Sequence, residues 1–214
     1  MKKFFDYAIR HYDKMLGYVG DHIMMCVSAL LLSLLIAIPL CVLLMKNKKV
    51  SKIVLALLGA CYSIPSMAFF AIMMPFFGLG KTGPIVVLTI YSQFILVRNI
   101  LAGFNGIDPS LLEAAKGMGM SPVQIFFKVE LPLAMPVIIS GIHIASVVII
   151  GSATIAQTVS AGGIGVLLFE GLRTQNYVKM IWGTILTAAL ALSVNYLLAR
   201  LEKFSQKKAK GGIA

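Results

Sequence analysis

Charge is scarce in this chain. Only 13% of its 214 residues are Asp, Glu, Lys or Arg, where a soluble domain of this size carries about a quarter. Acids are the scarcer sign, eight against nineteen Lys and Arg, for a formal charge of +11. No paired acids, nucleophile elbow or metal-binding helix can be assembled, so the chain does not read as an enzyme. Cysteine is equally thin: Cys26, Cys41 and Cys61 all fall inside apolar runs, without metal spacing or a disulfide framework, and read as small hydrophobes. His11, His22 and His143 form no metal motif either. What the chain has instead is apolar sequence, 59% of the residues, with a mean hydropathy of +0.91. The apolar residues come in runs, and a run of roughly 20 residues crosses a bilayer. The lysines flank these runs, which argues for membrane topology and against nucleic-acid binding.

The runs predict an all-α polytopic membrane protein with five spans, Ile23–Met45, Ile53–Phe77, Ile85–Leu101, Leu133–Thr158 and Met180–Leu201. Residues 1–22 form an N-terminal segment, 23–201 the transmembrane domain with a polar loop at 104–132, and 202–214 a basic tail. Phe4, Phe5, Tyr7, Tyr12 and Tyr18 suit an N-terminal segment lying along the interface. Met1 to Gly20 is polar and the first apolar run is too long for an h-region, so no cleavable signal is expected. Alternate loops divide Lys and Arg unequally. One side takes Lys46, Lys48, Lys49, Lys52, Arg98, Lys116, Lys128, Arg200, Lys203, Lys207, Lys208 and Lys210. The other takes Lys2, Lys3, Arg10, Lys14, Lys81, Arg173 and Lys179. The richer side should be cytoplasmic, which puts the N-terminus outside and the 104–132 loop inside.

That loop is the one sizeable polar segment in the middle of the chain. Asp108-Pro109 is a helix cap followed by proline at the first helical position. The helix should run to Gly117 and Gly119, which tolerate the positive φ of a helix end. Ser121-Pro122-Val123-Gln124 carries a capping box for a second short helix, and Pro132 marks the start of the fourth span. By helix pattern alone the segment fits an amphipathic connector as well as a docking element.

The register of this loop decides between them. Glu113-Ala114-Ala115, three residues, Gly119, nine residues, Val129, one residue, then Leu131-Pro132 resembles the cytoplasmic loop by which permease subunits of ABC importers grip their ATPase. Val129 stands where isoleucine is more usual. The likeness extends through Tyr62-Ser63-Ile64-Pro65-Ser66, Pro75 to Thr82, Val97-Arg98-Asn99, Asp108 to Met120 and Ala161-Gly162-Gly163-Ile164-Gly165. These segments resemble the osmoprotectant branch, which imports glycine betaine, choline or carnitine. The resemblance implies the type I ABC importer (MetI-like) fold and a bacterial cell membrane location. It also implies ATPase subunits docked on Glu113, Ala114, Ala115, Gly119, Val129, Leu131 and Pro132. A second permease copy or paralogue and an extracytoplasmic solute-binding protein complete the complex. ATP and Mg would be bound by the ATPase, with no cofactor or metal in this chain and no nucleic-acid partner.

A permanent cation without donatable protons favours aromatic faces. Tyr62, Tyr91 and Phe94, with Ser63, Gln93, Asn99 and Gln157 as polar neighbours, are therefore candidates to line the path, although packing or lipid contact accounts better for each aromatic. An amino acid such as methionine is the rival cargo, and a non-transporting scaffold the rival role. Gly80-Lys81-Thr82 imitates the end of a phosphate-binding loop, but Pro75 occupies its first glycine position and no strand precedes it. Gly162, Gly163 and Gly165 suit an outer loop folding back into the translocation mouth, or a plain flexible turn. His143 is the one ionisable residue deep in a span and reads as a satisfied histidine. Gly183, Thr187, Ala191 and Asn195 share one helix face, which allows close packing within the subunit or across a dimer.

Overall fold

The computed structural model describes residues 2–209, and every described element is helical. The elements are α1 (Lys2–Leu44), α2 (Lys48–Tyr62), α3 (Ser66–Phe77), α4 (Thr82–Asn105), α5 (Pro109–Gly117), α6 (Pro122–Ile125), α7 (Leu131–Ile155), α8 (Gly165–Arg173) and α9 (Tyr177–Ala209). A π turn, Phe126–Glu130, joins α6 to α7, and a 3₁₀ turn, Ala156–Val159, ends α7. Four helical stretches are long and apolar enough to cross a membrane, and the bent pair α2–α3 makes a fifth.

The second span is not one helix. Between Tyr62 and Ser66 the chain turns by 93°. Pro65 has no N–H to continue the ladder, and it biases Ile64 away from helical geometry. The Ile64 carbonyl at the break accepts from the Tyr91 hydroxyl, and Ser63 Oγ adds a second donor to the Gly59 carbonyl (2.9 Å). A broken helix at membrane depth is tolerated only when neighbours re-satisfy it in this way.

At about 1.5 Å per residue, the 43 residues of α1 far exceed a hydrocarbon core. Its N-terminal part is a helical extension, with non-helical geometry at His11. Phe4 stacks on Trp182 of α9 (4.5 Å, 9°), and Trp182 Nε1 donates to the Phe4 carbonyl (3.0 Å). α9 likewise continues past the expected span end, through Glu202 to Ala209.

α4 sits at the centre, with 61% of its apolar window buried, against 6% for α9 at the edge. Two apolar clusters stack along it, one around Met25, Phe70, Leu88 and Ile149, the other around Cys41, Leu96, Ile100 and Ala145. α4 meets α7 closely because Gly141 leaves room for Asn99; a Cβ there would lie 2.5 Å from the Asn99 Cβ. Against α1 the contact is polar: Gln93 Nε2 donates to the Ser33 carbonyl (3.0 Å), and Ser33 Oγ to that of Thr89 (3.4 Å). The small-residue face of α9 packs inside the subunit, Gly183 against Leu168 of α8 and Asn195 against His143 of α7.

Candidate functional site: the coupling loop and the broken span

The loop folds as its local signals dictate. Asp108 Oδ1 accepts from the Ser110 N–H (2.9 Å), capping α5 ahead of Pro109. The Ser110 backbone bond, with help from the Ser110 side chain, holds the Asp108 carboxyl below its ordinary pKa. Its capping contribution is therefore present above the ordinary carboxylate value and lost as pH falls through the depressed one. α5 gives way to Gly119 at φ +76°, a left-handed position. The Ser121–Gln124 capping box then starts α6, with both of its hydrogen bonds in place (2.8 and 3.3 Å).

From there the chain does not break at Pro132. α6, the π turn and α7 follow one another without a loop, and the helical stretch runs Pro122–Val159. The π turn has a local cause. Proline at 132 lacks an N–H and crowds the carbonyl four residues back, and an i→i+5 turn accommodates both. The Leu131 N–H accordingly reaches the Phe126 carbonyl. Phe126 also stacks on Phe104 at the end of α4 (5.8 Å, 13°), tying the loop to the central helix.

The seven motif residues divide by exposure. Glu113, Ala114, Gly119 and Pro132 are exposed, Val129 and Leu131 half-buried, and Ala115, at 1%, is turned into the loop's own packing. The loop also exposes apolar side chains: Leu111, Val123 and Phe127 are exposed, and Met118 is 74% exposed. Isolated exposed apolar residues are ordinary, and several on one compact loop make it a candidate interaction surface.

Of the seven path candidates, four gather at the break in the second span. The Tyr62 ring lies 5.6 Å from Tyr91 and 5.3 Å from Phe94, while Ser63 is exposed at the turn. Tyr91 is itself buried, so Tyr62, Ser63 and Phe94 present the accessible surface. The other three lie elsewhere. Gln93 faces α1, Asn99 donates to the Ile95 carbonyl (2.7 Å) beside Gly141, and Gln157 Oε1 accepts from the Gly162 N–H (2.9 Å). Phe69, 5.7 Å from Tyr91, extends the aromatic group and was missed because its run reads as uniform apolar span. His143 is satisfied: Nε2 donates to Asn195 Oδ1 (2.7 Å) and Nδ1 faces Glu202 Oε2 at 3.4 Å. Among the described residues no group of three or more His, Cys, Asp or Glu could hold a metal.

This bundle of helical spans has a counterpart among solved transporters. The inward-facing MetNI methionine ABC transporter matches with a TM-score of 0.80 over 89% of this chain and 95% of that one, at 24% identity. The fold is thus that of a type I ABC permease. The chain belongs to the binding-protein-dependent transport system inner membrane component family, whose pattern matches residues 29–210. It is 37% identical to the choline transport system permease protein OpuBB of Bacillus subtilis, over 86% of this chain and 84% of that protein. It is 34% identical to the glycine betaine/carnitine/choline transport system permease protein OpuCB of the same organism, over 94% and 92% respectively. The chain is accordingly a membrane-embedded transport subunit.

Proposed function

We propose that the chain is the permease of an osmoprotectant importer whose cargo is a small quaternary ammonium solute such as choline, glycine betaine or carnitine. The observation that carries this is the 32–37% identity, along most of the chain, to permeases named for those solutes. The chemistry agrees. Tyr62, Phe94 and the exposed turn at Ser63 offer aromatic faces and neutral dipoles, and a permanent cation can pass them without a fixed carboxylate holding it back.

In this reading two permease chains, identical or paralogous, form the pathway, and a solute-binding protein delivers cargo from outside. A separate ATPase, carrying the ATP and Mg, docks on Glu113, Ala114 and Gly119 with the apolar residues around them. The protein is multi-pass in the bacterial cell membrane, N-terminus outside and C-terminus in the cytoplasm, as the uneven division of Lys and Arg supports. ATP-driven closure of the ATPase pair displaces α5 and α6, and the continuity of α6 with α7 carries that displacement into the spans. This requires the docked partner to favour one permease state over the other.

The test is uptake of labelled choline, glycine betaine and carnitine by the assembled complex in proteoliposomes, beside methionine. Movement of at least one quaternary solute is the expected outcome. Import of methionine alone would overturn the cargo and leave the permease intact.

A further inference from the structure

At the loop end of the bundle, the end of α1, the first turns of α2 and the last turns of α4 enclose a cavity of about 380 Å³. Its lining is divided. Leu44, Leu55 and Leu101 make an apolar side, and Lys48, Lys52 and Arg98 bring three cations to the same space. Among the described residues none of the three has a carboxylate within ion-pair distance; the described pairs are Lys81–Asp21, His143–Glu202 and Lys179–Glu170. The first turn of α2 holds no acid, so its positive end adds to the same field. Arg98 is steadied by the Phe94 ring, its guanidinium carbon 5.9 Å from the ring centroid. Three like charges around one cavity repel one another unless an anion sits among them.

The surroundings point to what that anion is. α2 buries none of its residues in the subunit, and Ile53 and Leu57 stand exposed on the side of the helix away from the cavity, an apolar surface suited to lipid. A cavity with three cations on one side and Leu44, Leu55 and Leu101 on the other matches a phospholipid, with its phosphate among the cations and its acyl stems against the leucines. A planar guanidinium suits a phosphate in particular, and basic pockets at the inner ends of membrane helices recognise anionic headgroups.

We propose that this cavity seats the headgroup of an anionic phospholipid, its phosphate held by Lys48, Lys52 and Arg98. The site rests on the reading that this end of the bundle meets the inner leaflet. Lipid retention does not depend on which leaflet supplies the lipid, so a reversed topology, read separately by labelling, fails independently of the site.

Native mass spectrometry of the assembled complex, reconstituted with dioleoylphosphatidylglycerol or dioleoylphosphatidylcholine and then extracted, reads the site. The wild-type complex should retain phosphatidylglycerol in preference to phosphatidylcholine. Lys48→Gln combined with Arg98→Gln should weaken phosphatidylglycerol retention about twenty-five-fold, at roughly fivefold per charge, with phosphatidylcholine unchanged. Lys46→Gln with Lys49→Gln, neighbouring cations outside the cavity, should change it little, and Arg98→Lys should keep most of it in an equally folded protein. Equal retention by the first pair and the wild type would overturn the site. So would equal losses from both pairs, which would mean only a diffuse field. A photoreactive side chain at position 52 should crosslink to lipid; capture of the ATPase or of a second permease copy instead would also overturn it.

Discussion

Two glycines with opposite surroundings make opposite demands on a side chain. Gly119 has φ +76° and open space where a Cβ would stand, so a substitution there strains the turn by ~1–2 kcal/mol and clashes with nothing in the subunit. Gly119→Asp should reach the membrane at wild-type levels yet lose ATPase association and uptake, read by co-purification and transport. Normal transport-coupled ATP hydrolysis would remove Gly119 from the docking surface. Gly141 is the reverse case, facing Asn99 across the α4–α7 contact. Gly141→Val should cost ~1–3 kcal/mol by overpacking, seen as a lower melting temperature of the purified complex. Gly151, in the same helix with nothing within 4 Å of its Cβ, provides the control: Gly151→Ala should leave stability unchanged or raise it by ~0.5–1 kcal/mol.

At the scale of the element, the π turn before α7 sets the angular register between the loop and its span. One residue corresponds to about 100° of helix rotation. Pro132→Ala removes the local reason for the wide turn, so the stretch should regularise and rotate α5 and α6 away from the docked partner. Assembly with the ATPase should weaken and uptake fall, while permease abundance holds. Abundance falling together with uptake would mean that Pro132 serves folding alone. The caps, the end of α5 and the span-like runs were all legible in the sequence, because each depends on residues within a few positions. The 93° break was not, although Pro65 was visible. Proline inside a span fits a kink, a break or a tolerated helix, and the choice rested on Tyr91, 27 positions away, supplying a donor to Ile64. The same distance problem divided the path candidates. Tyr62 and Phe94 meet because α2 crosses α4, whereas Gln93, one position from Phe94, points to α1. α8 was likewise hidden, since a nine-residue helix between glycines and Asn176 reads as a loop.

For the whole molecule, the uneven spread of charge is the ground for the proposed orientation, with the 104–132 loop at the ATPase end. In a cysteine-free variant, single cysteines at Lys46 and Lys203 should resist impermeant thiol reagents in intact cells, and one at exposed Leu79 should react. The reverse pattern would invert the bundle. Orientation matters because of one further property of the Pro122–Val159 stretch. Its 38 residues measure about 57 Å at 1.5 Å per residue. As a stiff lever, a tilt of roughly 5° imposed at the ATPase end swings the far end through about 5 Å, nearly the pitch of one helical turn. The far end is not free: the Val159 carbonyl accepts from the Gly80 N–H (3.0 Å), and Gln157 holds the Gly162 N–H. In the proposed orientation, a small rotation at the nucleotide side would thus arrive, amplified, at the turn between α3 and α4 and at the opposite loop, where solute would be admitted or shut out.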